Sequence, residues 1–469
     1  MNKLLVRVRT VLINEYFILS IILVLGFILR LYKIDNPIAD WHSWRQADTS
    51  SVSRNFVKNG INMFFPEFDD ISSIQTGIDN PTGIRMVEFP VYNAIHAIIY
   101  KNFSIFNLEK WGRILTTIIS LLTTVFLFLL AKKHYSSKVG LLTAFFFTFI
   151  PFNIYFSRVI LPDPLGVLFA VAGLYFFGIN IVVSGLLFAL ALLQKPFFGV
   201  YLFPLIPELI KKENLKKSLA FLSITMAPFM VWRYWESLHP EGISFYKWAF
   251  NGDRIRFHPA WFRWLFGERI GILILGGWGL IPFVMGLIKK QKNKFNLLLN
   301  LGMLTYLIAV ATANVRHDYY QILIIPAISI SLALGSVWLW KRNMVSKLVL
   351  ILSILVMFLV GWDRIKPFYQ VNHPELMEVG NVVDETLPKD AKVIAPYNGD
   401  TAFLYQMNRK GWPAVDDSID GLIERGATHY VSLDLGSPDT VNFSKRFVTL
   451  QKTDKFIILD LQKEITKYD

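Results

Sequence analysis

The sequence predicts a polytopic α-helical membrane protein of about eleven spans. Amphipathic helices are expected in its outer loops, and a small extracytoplasmic α/β domain at its C-terminal end. Three observations carry this. Of 469 residues 53% are hydrophobic and only 18% charged, with a mean hydropathy of +0.42, whereas soluble domains average about a quarter charged. Several apolar runs reach the length of about 18 residues that crosses a hydrocarbon core. Basic residues fall in short clusters between those runs.

The runs lie near 14–33, 113–131, 139–157, 164–180, 182–194, 197–210, 217–234, 270–288, 295–313, 319–340 and 346–361. Lys3, Arg7 and Arg9 precede the first. Later clusters are Lys132, Lys133, His134 and Lys138; Lys211, Lys212, Lys216 and Lys217; Lys289, Lys290, Lys292 and Lys294; and Lys341, Arg342 and Lys347. Basic residues favour the cytoplasmic side. With the amino terminus inside, every cluster lands inside, and residues 34–112, 235–268 and the tail land outside. Residues 182–210 read either as two short spans around Lys195-Pro196 or as one broken helix. The first run has no small-residue cleavage site at its end, so it reads as a retained span.

The division that follows is a transmembrane module over 1–362, with an outer loop at 34–112, and an extracytoplasmic α/β domain over 363–469. In the tail, 393–396, 429–433, 447–450 and 456–461 alternate as strands, with helical patterns at 375–386 and 418–425. The net charge of +13 is accounted for by topology, so nucleic-acid binding is not expected. The absence of cysteine excludes disulfides, thiolate metal sites and cysteine nucleophiles.

The first outer loop holds most of the chemistry-bearing side chains. Asp40, His42, Arg45, Gln46 and Asp48 crowd the start of a predicted helix in which Trp41, Trp44, Asp48, Val52 and Phe56 recur at helical spacing and Gly60 is the stop. The plain reading makes Asp40 an N-cap and Arg45–Asp48 a helix pair. Glu88-Phe89-Pro90 closes the same loop. A loop this long is usually functional.

Further candidates sit at predicted outer span ends. Arg158 reads as an interface anchor or a phosphate ligand. Lys195, in an apolar stretch, either snorkels or lines a cavity. Asp163 precedes Pro164 and reads first as an N-cap with proline at N1. Arg316, His317 and Tyr320 open a late span, as an aromatic belt or as a binding site. Arg254, Arg256, His258 and Arg263 form a basic, aromatic loop suited to lipid headgroups or phosphate.

Taken in order, Asp40-x-His42-x-x-Arg45-Gln46, Glu88-Phe89-Pro90, Arg158 with Leu161-Pro162-Asp163, and Arg316-His317-Asp318-Tyr319-Tyr320 resemble the bacterial family-39-type glycosyltransferases of the GT-C superfamily. Protein O-mannosyltransferases and lipid A aminoarabinose transferases are relatives. Many of these carry adjacent Asp-Glu in the first loop, whereas Trp41 follows Asp40 here. Both Asp40 and Asp48 are therefore candidates for the family's base, and the distance from the first span favours Asp40.

The resemblance implies a GT-C-like fold and an inverting transfer of a hexose or pentose from a polyprenyl-phosphate-linked sugar. The acceptor, a lipid, glycan or protein, would meet it on the outer face of the plasma (inner) membrane. A phosphate leaving group needs no protonating acid, so one carboxylate, Asp40 or Asp48, suffices to take the acceptor proton. Arg45, Arg158, Lys195, Arg316, His317 and Tyr320 are the expected donor and phosphate ligands. His42, Glu88 and Asp163 are acceptor or metal candidates. No cofactor is required; a divalent metal on His42, Glu88 and His317 stays open. Alternatives are a transporter or flippase for lipid-linked sugars, or a glycan ligase using a lipid diphosphate. A transporter would place ionisable residues at mid-span, whereas here they cluster in outer loops.

Overall fold

The computed structural model describes residues 14–291 and 293–465. Lys3, Arg7, Arg9 and Lys292 of the basic clusters lie outside the described residues. The chain forms two compact units. One comprises Met1–Ile34, Gly112–Arg233 and Tyr246–Tyr369; the other comprises Asp35–Trp111, Tyr234–Phe245 and Gln370–Asp469.

The first unit is built from apolar helices. Leu108–His134, Asp318–Trp340 and Met344–Tyr369 are long and apolar enough to cross a membrane. Ser137–Phe149, Asp163–Phe176, Ile181–Gln194, Pro196–Leu209 and Phe295–Ala309 are shorter apolar helices. Asp318–Trp340 is buried over 89% of its apolar stretch and Met344–Tyr369 over only 22%. The first is therefore a core helix, and the second turns most of its surface outward. Close packing uses small residues, as expected where lipid removes the hydrophobic drive between helices. A Cβ on Gly286 would lie 1.8 Å from the Ser331 carbonyl oxygen, and one on Gly335 would lie 1.8 Å from that of Pro282.

Several runs that read as single spans are interrupted. The run 139–157 divides into Ser137–Phe149 and Pro151–Phe156. The run 270–288 divides where Gly276 and Gly277 adopt positive φ values of 52° and 72°. The 182–210 stretch is an α-helix, Ile181–Gln194, followed by a 3-10 helix, Pro196–Leu205, with Lys195 extended between them. Pro196 causes this break, because proline disfavours helical backbone at the residue before it.

The second unit joins the first long loop to the tail. Its helix Ser43–Asn59 ends at Gly60, whose φ of 92° suits the stop read from the sequence. Val52 and Phe56 pack with Phe68 and Ala97. The tail contributes a five-stranded sheet of β1 (Val393–Ile394), β2 (Gly411–Trp412), β3 (His429–Ser432), β4 (Phe447–Lys452) and β5 (Ile457–Glu464), in the order β2-β1-β3-β5-β4. β1 is parallel to β2 and β3, whereas β5 is antiparallel to β3 and β4.

Helices Glu375–Thr386 and Ala402–Met407 share one apolar cluster with Val393 and Val431, and helix Ile419–Glu424 shares another with Ile394 and Tyr430. Alternate residues of a strand face opposite sides, so the sheet is covered on both. The loop also guards the sheet edge. Gly411 donates its N–H to the Asp69 carbonyl at 2.9 Å and accepts from the Ile71 N–H at 2.9 Å.

Candidate active site

In the second unit the acidic cluster resolves into distinct partnerships. Helix Ser43–Asn59 starts later than its charge pattern suggests, because His42, not Asp40, is the N-cap residue. His42 sits in the left-handed region at φ 56° with its ring 5.2 Å from Trp41, and it makes no side-chain cap. Asp40 lies in the turn just before it, 3% exposed, and its Oδ1 accepts a hydrogen bond from Gln46 Nε2 at 2.7 Å. The helix thus begins after Asp40, with His42 in the N-cap position.

Asp48 is fully buried, and it does not form the helix pair with Arg45. Its Oδ2 pairs with Arg85 Nη2 at 2.8 Å, and its Oδ1 accepts from the Thr401 hydroxyl at 2.7 Å. Arg45 instead forms an ion pair with Glu88, which joins two of the sequence motifs. Arg85 also donates to Gln75 Oε1 at 2.8 Å and lies over the Phe68 ring. Asp70 stands beside this pair, accepting from the Ser72 N–H at 2.8 Å. Burial pushes the Asp70 carboxyl up to about 7, and the nearby charge of Asp48 adds to the rise. Asp400, the residue before Thr401, is pushed up to about 6, again mainly by burial.

In the first unit, Lys195 and Asp163 meet as a nearly buried ion pair of 2.6 Å. The ammonium lies 5.5 Å and 5.2 Å from the ring centroids of Tyr319 and Tyr320, within cation–π range. Asp163 is the first residue of its helix, not the N-cap, which is Pro162. Its carboxylate holds Lys195 in preference to capping. Arg158 is buried, donates to the Lys33 carbonyl at 2.9 Å, and lies 4.8 Å from the Tyr369 ring centroid.

Arg316 is the exposed member of the cationic set, forked on Asp253 at 2.8 and 2.6 Å. His317 stacks on Tyr319 and meets Trp248 edge-on, the aromatic arrangement that its plain reading describes. In the basic loop, Arg256 is tied to the Ala309 carbonyl at 2.9 Å. Among the described residues no group of three or more His, Asp or Glu side chains is arranged to hold a metal ion.

Arg85, Asp70, Asp400 and Thr401 are site neighbours that sequence reasoning missed. None lies in a motif, and each is joined to Asp48 only through the fold.

The fold is shared with solved structures over most of the chain. Residues 88–235 match the family model described as dolichyl-phosphate-mannose-protein mannosyltransferase. ArnT from Cupriavidus metallidurans bound to undecaprenyl phosphate is similar with a TM-score of 0.63 at 11% identity, over 94% of this chain and 97% of that one. The Archaeoglobus fulgidus oligosaccharyltransferase AglB, in complex with an inhibitory peptide and a dolichol-phosphate, is similar at 0.54 and 11% identity, over 97% and 75%. The same archaeal enzyme with Zn and sulfate gives 0.55 at 10%, over 88% and 67%. Among curated sequences no match is found.

Proposed function

We propose that this chain is an inverting glycosyltransferase of the plasma (inner) membrane that moves a sugar from a polyprenyl phosphate to an acceptor hydroxyl or similar group. In this reading the chain crosses the membrane about eleven times, and the first loop and the tail lie on the extracytoplasmic side. Support comes from the fold it shares with ArnT, whose structure holds undecaprenyl phosphate, and from the dolichyl-phosphate-mannose match over residues 88–235.

The observation that carries the mechanism is the commitment of Asp48 to the fold. Both oxygens of Asp48 are committed, to Arg85 and to Thr401. Protonating that carboxylate would leave Arg85 as an uncompensated buried charge. Asp40, whose Oδ1 accepts from the Gln46 amide, is the acid proposed as general base. In the proposed step the acceptor oxygen attacks the anomeric carbon on the face opposite the phosphate and its proton passes to Asp40. The bond between that carbon and the phosphate oxygen breaks, and the polyprenyl phosphate leaves. Arg158 and Lys195 are the cations proposed for the phosphate. Arg316 is better placed to secure its loop through Asp253.

The test is to incubate membranes carrying the protein with a panel of labelled undecaprenyl-phosphate sugars. One donor should be consumed with release of undecaprenyl phosphate. Consumption only of a lipid diphosphate-linked glycan would favour a ligase, and movement of the lipid across the bilayer without bond cleavage would favour a flippase.

A further inference from the structure

In the sequence the tail reads as an appended domain. Within the second unit its residues reach the helix of the first loop. Thr401 is the N-cap residue of helix Ala402–Met407, yet it makes no side-chain cap. Threonine at this position ordinarily caps its own helix. Here Asp400 accepts from the Ala402 N–H at 2.7 Å instead, and the Thr401 hydroxyl turns to another helix, reaching Asp48 Oδ1 at 2.7 Å and the Trp44 carbonyl at 3.3 Å.

The rest of that short tail segment grips the same helix and its approach. Gln406 Nε2 donates to the Ile38 carbonyl at 2.9 Å, two residues before Asp40. Arg54 donates to the Tyr405 carbonyl at 2.9 Å, with its guanidinium 4.1 Å from the Tyr405 ring centroid. Lys58 donates to Asn408 Oδ1 at 2.7 Å.

From these contacts we infer that the tail segment 401–408 is a positioning element for the candidate base. It holds the turn at Ile38 and the start of the helix at Trp44 and Asp48. Between these two anchors lie Asp40 and the Gln46 amide that orients it. Thr401 and Gln406 are thus positioning residues that act through the helix, and the inference rests on the reading of Asp40 as base. A base displaced by a fraction of an ångström loses the near-attack geometry on which its contribution depends.

The full-length protein in nanodiscs is compared as wild type, Thr401→Val, Thr401→Ser and Gln406→Ala. Hydrogen exchange over residues 38–50 needs no substrate. It should rise in Thr401→Val and in Gln406→Ala, and stay near wild type in Thr401→Ser. With the undecaprenyl-phosphate sugar that wild-type membranes consume, Thr401→Val should lose between about tenfold and about 10²-fold in kcat. Donor KM should hold within about twofold, since no donor contact is removed, and Thr401→Ser should restore turnover. Unchanged exchange over 38–50 in both Thr401→Val and Gln406→Ala overturns the proposal, as does wild-type kcat in Thr401→Val. Asp40→Asn run in parallel separates the two ideas. If it turns over normally, the base assignment fails, whereas the exchange result judges the clamp by itself.

Discussion

The two units treat buried charge differently. In the unit made of the first loop and the tail, buried or half-buried guanidinium groups meet carboxylates: Arg85 with Asp48, Arg45 with Glu88, Arg54 with Asp69 and Arg409 with Asp384. In the helical unit, buried Arg30 donates to the Ser157 hydroxyl and to the Gly26 and Thr148 carbonyls, all neutral. Arg158 leans on a carbonyl and tyrosine rings. An acid committed to a buried guanidinium acts mainly as structure, as Asp48 does with Arg85. In the helical unit Lys195 departs from the pattern, since Asp163 holds it together with two tyrosine rings. The comparison therefore marks Asp48 as a structural acid and draws attention to Arg158, which rests against a carbonyl and rings.

Breaking a matched pair gives the largest expected effect. Asp48→Asn leaves Arg85 buried beside a neutral group, at a cost of about 3–5 kcal/mol. Folded yield and thermal midpoint should both fall. The double variant Asp48→Leu with Arg85→Leu should recover much of that loss, because an apolar pair replaces the charges together. A full-strength thermal midpoint for Asp48→Asn would show that this pair is not structural.

Next in size are the cations of the helical unit. Arg158→Lys replaces a fork by a point charge. It should raise donor KM about tenfold, the scale of one charge-assisted hydrogen bond. Lys195→Arg, which keeps its charge beside Asp163, should cost less. Near-wild-type donor dependence in both Arg158→Ala and Lys195→Ala would remove the two residues from the donor site.

Much of the architecture was legible because hydropathy is a summed property that does not require an exact boundary. Helical segments occupy the apolar runs, and the predicted tail helix 375–386 coincides with Glu375–Thr386. Features of one or two residues were not legible. β2 contains only Gly411 and Trp412, too few to show alternation. The interruptions at Ile150-Pro151 and Gly276-Gly277 leave hydropathy unchanged. The start of the loop helix was placed too early because left-handed His42 has no periodic signature.

At the site, Arg45 and Glu88 were read from motifs of one loop, and the fold brings them together. Arg85 and Thr401 were invisible. Thr401 meets Asp48 across a sequence separation of 353 residues, which no local pattern reports.

The smallest effect expected is a pH dependence of the loop-and-tail unit. The folded protein holds the Asp70 proton more tightly than the unfolded chain does, with the carboxyl raised to about 7. Its contribution to stability is therefore complete below the ordinary carboxyl range and is lost as pH rises through about 7. Asp70→Asn should leave the thermal midpoint nearly unchanged below about pH 4 and raise it at pH 8, by about 2 °C or more. An equal shift at both pH values would mean that the Asp70 charge is not the cause.

The central claim is that Asp40 takes the acceptor proton while Asp48 holds the fold. It is tested most directly by single-turnover release of undecaprenyl phosphate from the consumed donor, with wild type and Asp40→Asn in nanodiscs. The account predicts that Asp40→Asn unfolds at the wild-type temperature and releases the lipid phosphate about 10²-fold more slowly or worse. Release at the wild-type rate from Asp40→Asn would contradict it.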